Sequence, residues 1–104
     1  MQIQVASKTL KVTQALRQFA NEQAKKLQKL NQRVSKVRIS LDQRAKGTKR
    51  DKNAIVKYVV SLPGKTVVLK HKAHDMYDAI VESTDKAVRQ LRKIKEKRLD
   101  QQRR

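Results

Sequence analysis

The residues of this chain with the most ready chemistry are two histidines. His71 and His74, with Asp75 beside the second, form an H-x-x-H run. Such a pair could hold a metal ion if one helix face carried both rings. The run instead falls where a strand pattern gives way to a helix pattern, and no further ligand stands near it. It reads as a pair of surface or phosphate-contacting histidines, with no metal site. No Ser-His-Asp order or paired-carboxylate constellation appears, and Gly47 and Gly64 are the only glycines available to build a phosphate-cradling loop. Cysteine is absent, which removes thiolate catalysis, disulfides and Cys-ligated zinc together. The expectation is a chain that is not an enzyme, needs no cofactor and takes no small-molecule substrate.

What remains is charge. Lys and Arg number 27 against 9 Asp and Glu, a formal net charge of +18 on 104 residues. A compact domain carries that self-repulsion only against some use for it. A polyanion is the natural partner, and nucleic acid fits best, because each neutralised phosphate releases condensed counterions. A membrane surface fits less well, and no apolar run of bilayer-spanning length exists. The N-terminus lacks the layout of a secretory signal, so a cytoplasmic protein is expected.

The basic residues cluster. Lys86, Lys93 and Lys97 recur at spacings of seven and four with Arg89 and Arg92 among them, and Lys25, Lys26 and Lys29 crowd one short stretch. Residues 1–41 contain one acid, Glu22, so local pairing cannot neutralise that end. Arg44 opens a stretch, residues 43–53, with five basic residues and no apolar periodicity, expected as a mobile loop and a phosphate contact. Taken singly, each run could be an ordinary solvated helix face, or cations favoured by a helix C-terminus. The global excess of charge weighs against that plainer reading and keeps all three as candidate RNA contacts. Lys36, Arg38 and Lys70 are weaker candidates. Tyr77 could stack on a base but reads better as a packing residue, and Phe19 as core. With Phe19, Tyr58 and Tyr77 the only aromatics, backbone and shape recognition is expected over base stacking.

The elements that must position these groups follow from periodicity. Residues 2–7 alternate Ile3 and Val5 with polar neighbours, as a half-buried strand does. Thr13 can cap a helix in which Val12, Leu16, Phe19, Ala20, Leu27 and Leu30 recur at three and four, ending near Asn31. Val37, Ile39 and Leu41 alternate in a second strand, and Val56, Tyr58 and Val60 in a third over 54–62. Leu62-Pro63-Gly64-Lys65 suits a type II turn into a fourth strand over 66–72, with Val67 and Leu69 inward and Lys70 and Lys72 outward. From Asp75, a natural N-cap, the period is helical again through Met76, Ile80, Thr84, Ala87, Leu91 and Ile94, with acids early and bases late to match the helix dipole. The order β-α-β-β-β-α predicts an α+β two-layer sandwich. A right-handed crossover sets the first two strands parallel in a four-stranded mixed sheet, with both helices on one face. One domain over 1–98 and a short basic tail over 99–104 are expected.

The run Asp75-Met76-Tyr77-Asp78-Ala79-Ile80, followed by Asp85-Lys86 and Arg89-Gln90-Leu91-Arg92-Lys93, resembles the second-helix signature of the ribosome hibernation-promoting factors and ribosome-associated inhibitors. Val12-Thr13-Gln14-Ala15-Leu16-Arg17, with Ala24-Lys25-Lys26-Leu27 behind it, is similar to that family's first helix. The resemblance implies the same fold, related in shape to double-stranded-RNA-binding domains. It also implies a monomeric protein, of the family's short form, that binds the small ribosomal subunit and its rRNA between head and body. Filling the mRNA and tRNA decoding groove there would silence idle ribosomes. A general structured-RNA-binding or ribosomal protein, and a regulator that binds a protein partner, are the alternatives.

Overall fold

A computed structural model describes residues 1–44 and 53–102, in the order β1 (Gln2–Ala6), α1 (Gln14–Leu30), β2 (Lys36–Gln43), β3 (Ala54–Leu62), β4 (Lys65–Ala73) and α2 (Met76–Gln102). The strands lie side by side as β1-β2-β3-β4, with β1 parallel to β2 and the other two pairs antiparallel. The parallel pair requires a crossover, and α1 supplies it. Both helices pack on one face of the sheet, and the opposite face is open.

Strand alternation decides which side chains meet the helices. Val37, Ile39 and Leu41 of β2, Val56, Tyr58 and Val60 of β3, and Val67 and Leu69 of β4 all point inward and are buried. Leu16, Ala20, Ala24 and Leu27 of α1 and Ile80, Ala87 and Leu91 of α2 complete the same core. Ala20 and Ala24 are fully buried on the inward side of α1.

Local chemistry sets the ends. Thr13 has extended backbone, and its hydroxyl accepts from the amide of Leu16 at 3.1 Å, a cap of a kind that contributes about 1 kcal/mol. Asp75 does the same for α2, its carboxylate accepting from the amide of Asp78 at 3.2 Å. Gly64 takes φ of +71° in the turn between β3 and β4, the left-handed conformation that the third residue of a type II turn demands. β1 stops one residue short of its alternation pattern because the Ser7 hydroxyl accepts from the amides of Thr9 and Leu10, folding the chain into a local turn. The segment after it is fastened to β2. Asp42 Oδ1 accepts from the Ser7 hydroxyl, the Lys8 amide and the Thr9 hydroxyl at 3.0–3.4 Å.

Three expectations are corrected. β4 runs longer than its alternation suggested, from Lys65 to Ala73, because the tight turn lets pairing begin at once with Leu62 opposite Lys65. α2 continues through Gln102, so residues 99–102 extend the helix and are no separate tail; its last turn contains no basic residue, and the dipole match holds only at its N-terminal end. Phe19 is half-buried at the margin of the core, its ring meeting Tyr77 edge-on with centroids 4.9 Å apart. Tyr77, 43% exposed, is thereby a packing partner between the helices.

Candidate nucleic-acid interface

The candidate surface belongs to the helical layer. Lys25, Lys26 and Lys29 of α1, and Lys86, Arg89, Arg92, Lys93 and Lys97 of α2, are all exposed. Arg44 is exposed beyond the end of β2, where its amide donates to the Asn53 carbonyl at 3.0 Å. The rest of the basic loop expected between 43 and 53 lies outside the described residues.

The structure divides this set. At 100° per residue, Lys26 lies on the side of α1 that carries Phe19 and Leu30 and so faces α2. Lys25 points outward and pairs with Glu22 at 3.2 Å. On α2, Arg92 and Lys95 lie on the side towards α1. Lys95 Nζ donates to the Leu30 carbonyl at 3.4 Å, bringing the end of α1 beside α2. Lys86, Lys93 and Lys97 lie on the other flank, towards β4, with Arg89 on the crest between.

Two hollows collect the charges at the far end of the molecule. A cleft of about 500 Å³ is floored by Leu30, Leu62 and Ile94 and rimmed by Lys29, Arg33, Lys65, Lys95 and Arg98. Beside it Lys65, Lys93, Lys97 and Arg98 line a shallower depression. Arg33, Lys65, Lys95 and Arg98 were not among the residues singled out from the sequence. The charge run through α2 could have suggested Lys95 and Arg98. Nothing local marks Arg33 or Lys65, which the two ends of the fold bring there.

Little neutralises this surface. Among the described residues Lys86, Arg89, Arg92, Lys93 and Lys97 form no ion pair. Glu82, one turn before Lys86, is held at 2.7 Å by His71 Nε2 across the gap between β4 and α2. His71 therefore ties the sheet to the helix. Beneath the surface, the Tyr58 hydroxyl meets Thr84 Oγ1 at 2.6 Å, and Thr84 in turn donates to the Ile80 carbonyl at 2.7 Å. Thr84 has one proton to give, so Tyr58 is the donor of the first bond. Burial pushes the Tyr58 phenol up to about 12.

Fold and surface together define a basic α+β domain whose helical layer carries an array of exposed cations. Residues 3–99 match the family described as "Sigma 54 modulation protein / S30EA ribosomal protein", and the chain belongs to that family. It is 32% identical to the ribosome hibernation promoting factor of Acinetobacter guillouiae, over 98% of this chain and 94% of that one. It is 30% identical to the protein of the same description from Azotobacter vinelandii, over 98% and 90%. Among solved structures it resembles a ribosomal subunit interface protein from Coxiella burnetii, with a TM-score of 0.80, 25% identity, and coverage of 91% of this chain and 98% of that one. The N-terminal domain of Thermus thermophilus Protein Y shares the fold, with a TM-score of 0.78 and 22% identity over 90% and 99% of the two chains.

Proposed function

We propose that this chain is a ribosome hibernation factor that binds the small ribosomal subunit through rRNA and silences idle ribosomes by filling the groove where mRNA and tRNA meet. The observation that carries this reading is the exposed basic surface of α1 and α2, free of ion pairs at Lys86, Arg89, Arg92, Lys93 and Lys97 among the described residues, on a chain of this family. Its mechanism needs no bond chemistry. Lysine and arginine on rigid helices engage phosphates, counterion release supplies the binding free energy, and the bulk of the domain excludes the competing RNA. Helices suit this task because their backbone is already ordered, so binding does not have to offset the entropy of arranging it.

The test is sedimentation of the tagged protein with ribosomes and with separated subunits at rising salt. Retention on small subunits is expected, with the logarithm of the binding constant falling linearly against that of salt, at a slope near −0.9 for each phosphate contacted. Equal binding to any duplex RNA, with no preference for small subunits, would refute the reading in favour of a general structured-RNA-binding protein.

A further inference from the structure

The open face of the sheet is itself strongly basic, and its charges are arranged at a cost. Pairing places Lys57 of β3 directly opposite Lys70 of β4, with Ser40 of β2 on the other side of Lys57. One row along, Arg38 stands beside Val59 and Val68, and Lys36 lies beyond it on β2. At the far end Lys72 lies opposite Ile55. Arg38, Lys57, Lys70 and Lys72 are exposed, and among the described residues none of them forms an ion pair.

Like charges directly opposite one another on neighbouring strands destabilise a sheet, and outward positions are where a soluble protein alternates signs. The one acid in these rows, Asp42, spends Oδ1 on the chain after β1, two strands away from Lys72. Folding therefore gains nothing from these lysines. A partner that supplies negative charge explains them.

We infer that this face is a second RNA-binding surface, so that the domain is gripped between two RNA segments, one against the helices and one against the sheet. The inference rests on the ribosomal reading above. The occupant is a sugar-phosphate backbone rather than splayed bases, since the face offers no aromatic ring, Tyr58 being turned into the core. Val68, 55% exposed beside Val59, gives an aliphatic strip between the cations on which ribose can rest.

The test uses the full chain with purified small ribosomal subunits. The variant K57Q/K70Q/K72Q is expected to melt at or above the temperature of the parent, since it relieves repulsion. Its salt slope should become shallower by about three, with affinity near physiological salt reduced about tenfold or more. A photo-crosslinking side chain at position 70 is expected to attach to rRNA. A parental slope and affinity in this variant would overturn the inference, and so would crosslinks confined to ribosomal proteins, which would mark an acidic protein as the occupant. If the parent itself ignores small subunits, the ribosomal reading fails and this one falls with it. If the parent binds and only the sheet variant is indistinguishable from it, the sheet inference fails alone.

Discussion

Reversing Lys86, Arg89 and Lys93 together to glutamate is expected to abolish retention on small ribosomal subunits while the protein stays folded. The three side chains are exposed, bind nothing in the described structure and lie on the crest and the β4 flank of α2. Surface substitutions at such positions shift stability by about 0.5 kcal/mol or less each. The added local penalties are like-charge pairs one turn apart, Glu82 with the new acid at 86, Asp85 with that at 89, the acids at 89 and 93 with each other, and that at 93 with Glu96, each about 0.2–0.5 kcal/mol. Binding suffers far more, because each reversal removes a phosphate contact and sets a negative charge against the RNA. A loss of roughly a hundredfold or more is expected, with a salt slope shallower by about three. Reversal of Lys25 alone should cost much less, since it points outward on α1 and is paired with Glu22. Measured binding constants and melting temperatures for both variants check this, and a triple variant that still inhibits translation as the parent does would refute the assignment.

The second large effect lies in the core. Thr84→Val keeps the shape but strands the Tyr58 hydroxyl proton in a buried site, at a cost of about 1–3 kcal/mol. Tyr58→Phe leaves only an under-used acceptor on Thr84 and should cost less, about 1 kcal/mol. The double variant should recover part of the loss. Alkali gives an independent reading. Burial holds the Tyr58 phenol near 12 in the folded state, against about 10 when unfolded. Below pH 10 both states keep the proton and the difference is silent. Between pH 10 and 12 the unfolded chain loses its proton while the folded one retains it, so stability falls as pH rises, by about 3 kcal/mol in all. Tyr58→Phe lacks this loss. Urea melts of parent and variant from pH 9 to 12 should show the parent's advantage shrinking across that interval, and a constant difference would contradict the burial argument.

Much of this was legible in the sequence because burial enforces periodicity. Val56, Tyr58 and Val60 had to share a face, and Pro63-Gly64 had to turn, so the hairpin followed. Thr84 fitted the apolar stripe by spacing alone, and only the fold shows that its hydroxyl answers Tyr58. The exposed lysines of α2 were legible for the complementary reason, that a polar residue opposite an apolar stripe has nowhere to go but solvent. Long-range placement was not. Periodicity could not show that Lys65 and Arg33 join Arg98 around one cleft, or that Lys57 would stand opposite Lys70, because strand register is a property of pairs. Nor could it mark Asp42 as the clasp for residues 7–9, since no local pattern links positions more than thirty residues apart. The end of α2 was not legible, because the apolar stripe fades after Ile94 and the helix does not.

That overrun has a consequence for the free protein. A helix of 27 residues measures about 40 Å, whereas the nine-residue strands beneath it span about 30 Å. The last fully buried residue is Leu91; Ile94 is half-buried, Lys95 still reaches the Leu30 carbonyl, and Glu96 to Leu99 are exposed beyond the core. So short a projecting stretch is only marginally helical by itself, and its repelling neighbours, Lys93 with Lys97 and Lys95 with Arg98, weaken it further. Dissolved ions soften that repulsion. The same rise in salt that loosens this protein from RNA should therefore firm up its own protruding end, so that the domain is stiffest there when it is free and most frayed in the dilute conditions where it binds best, until phosphates replace the missing counterions.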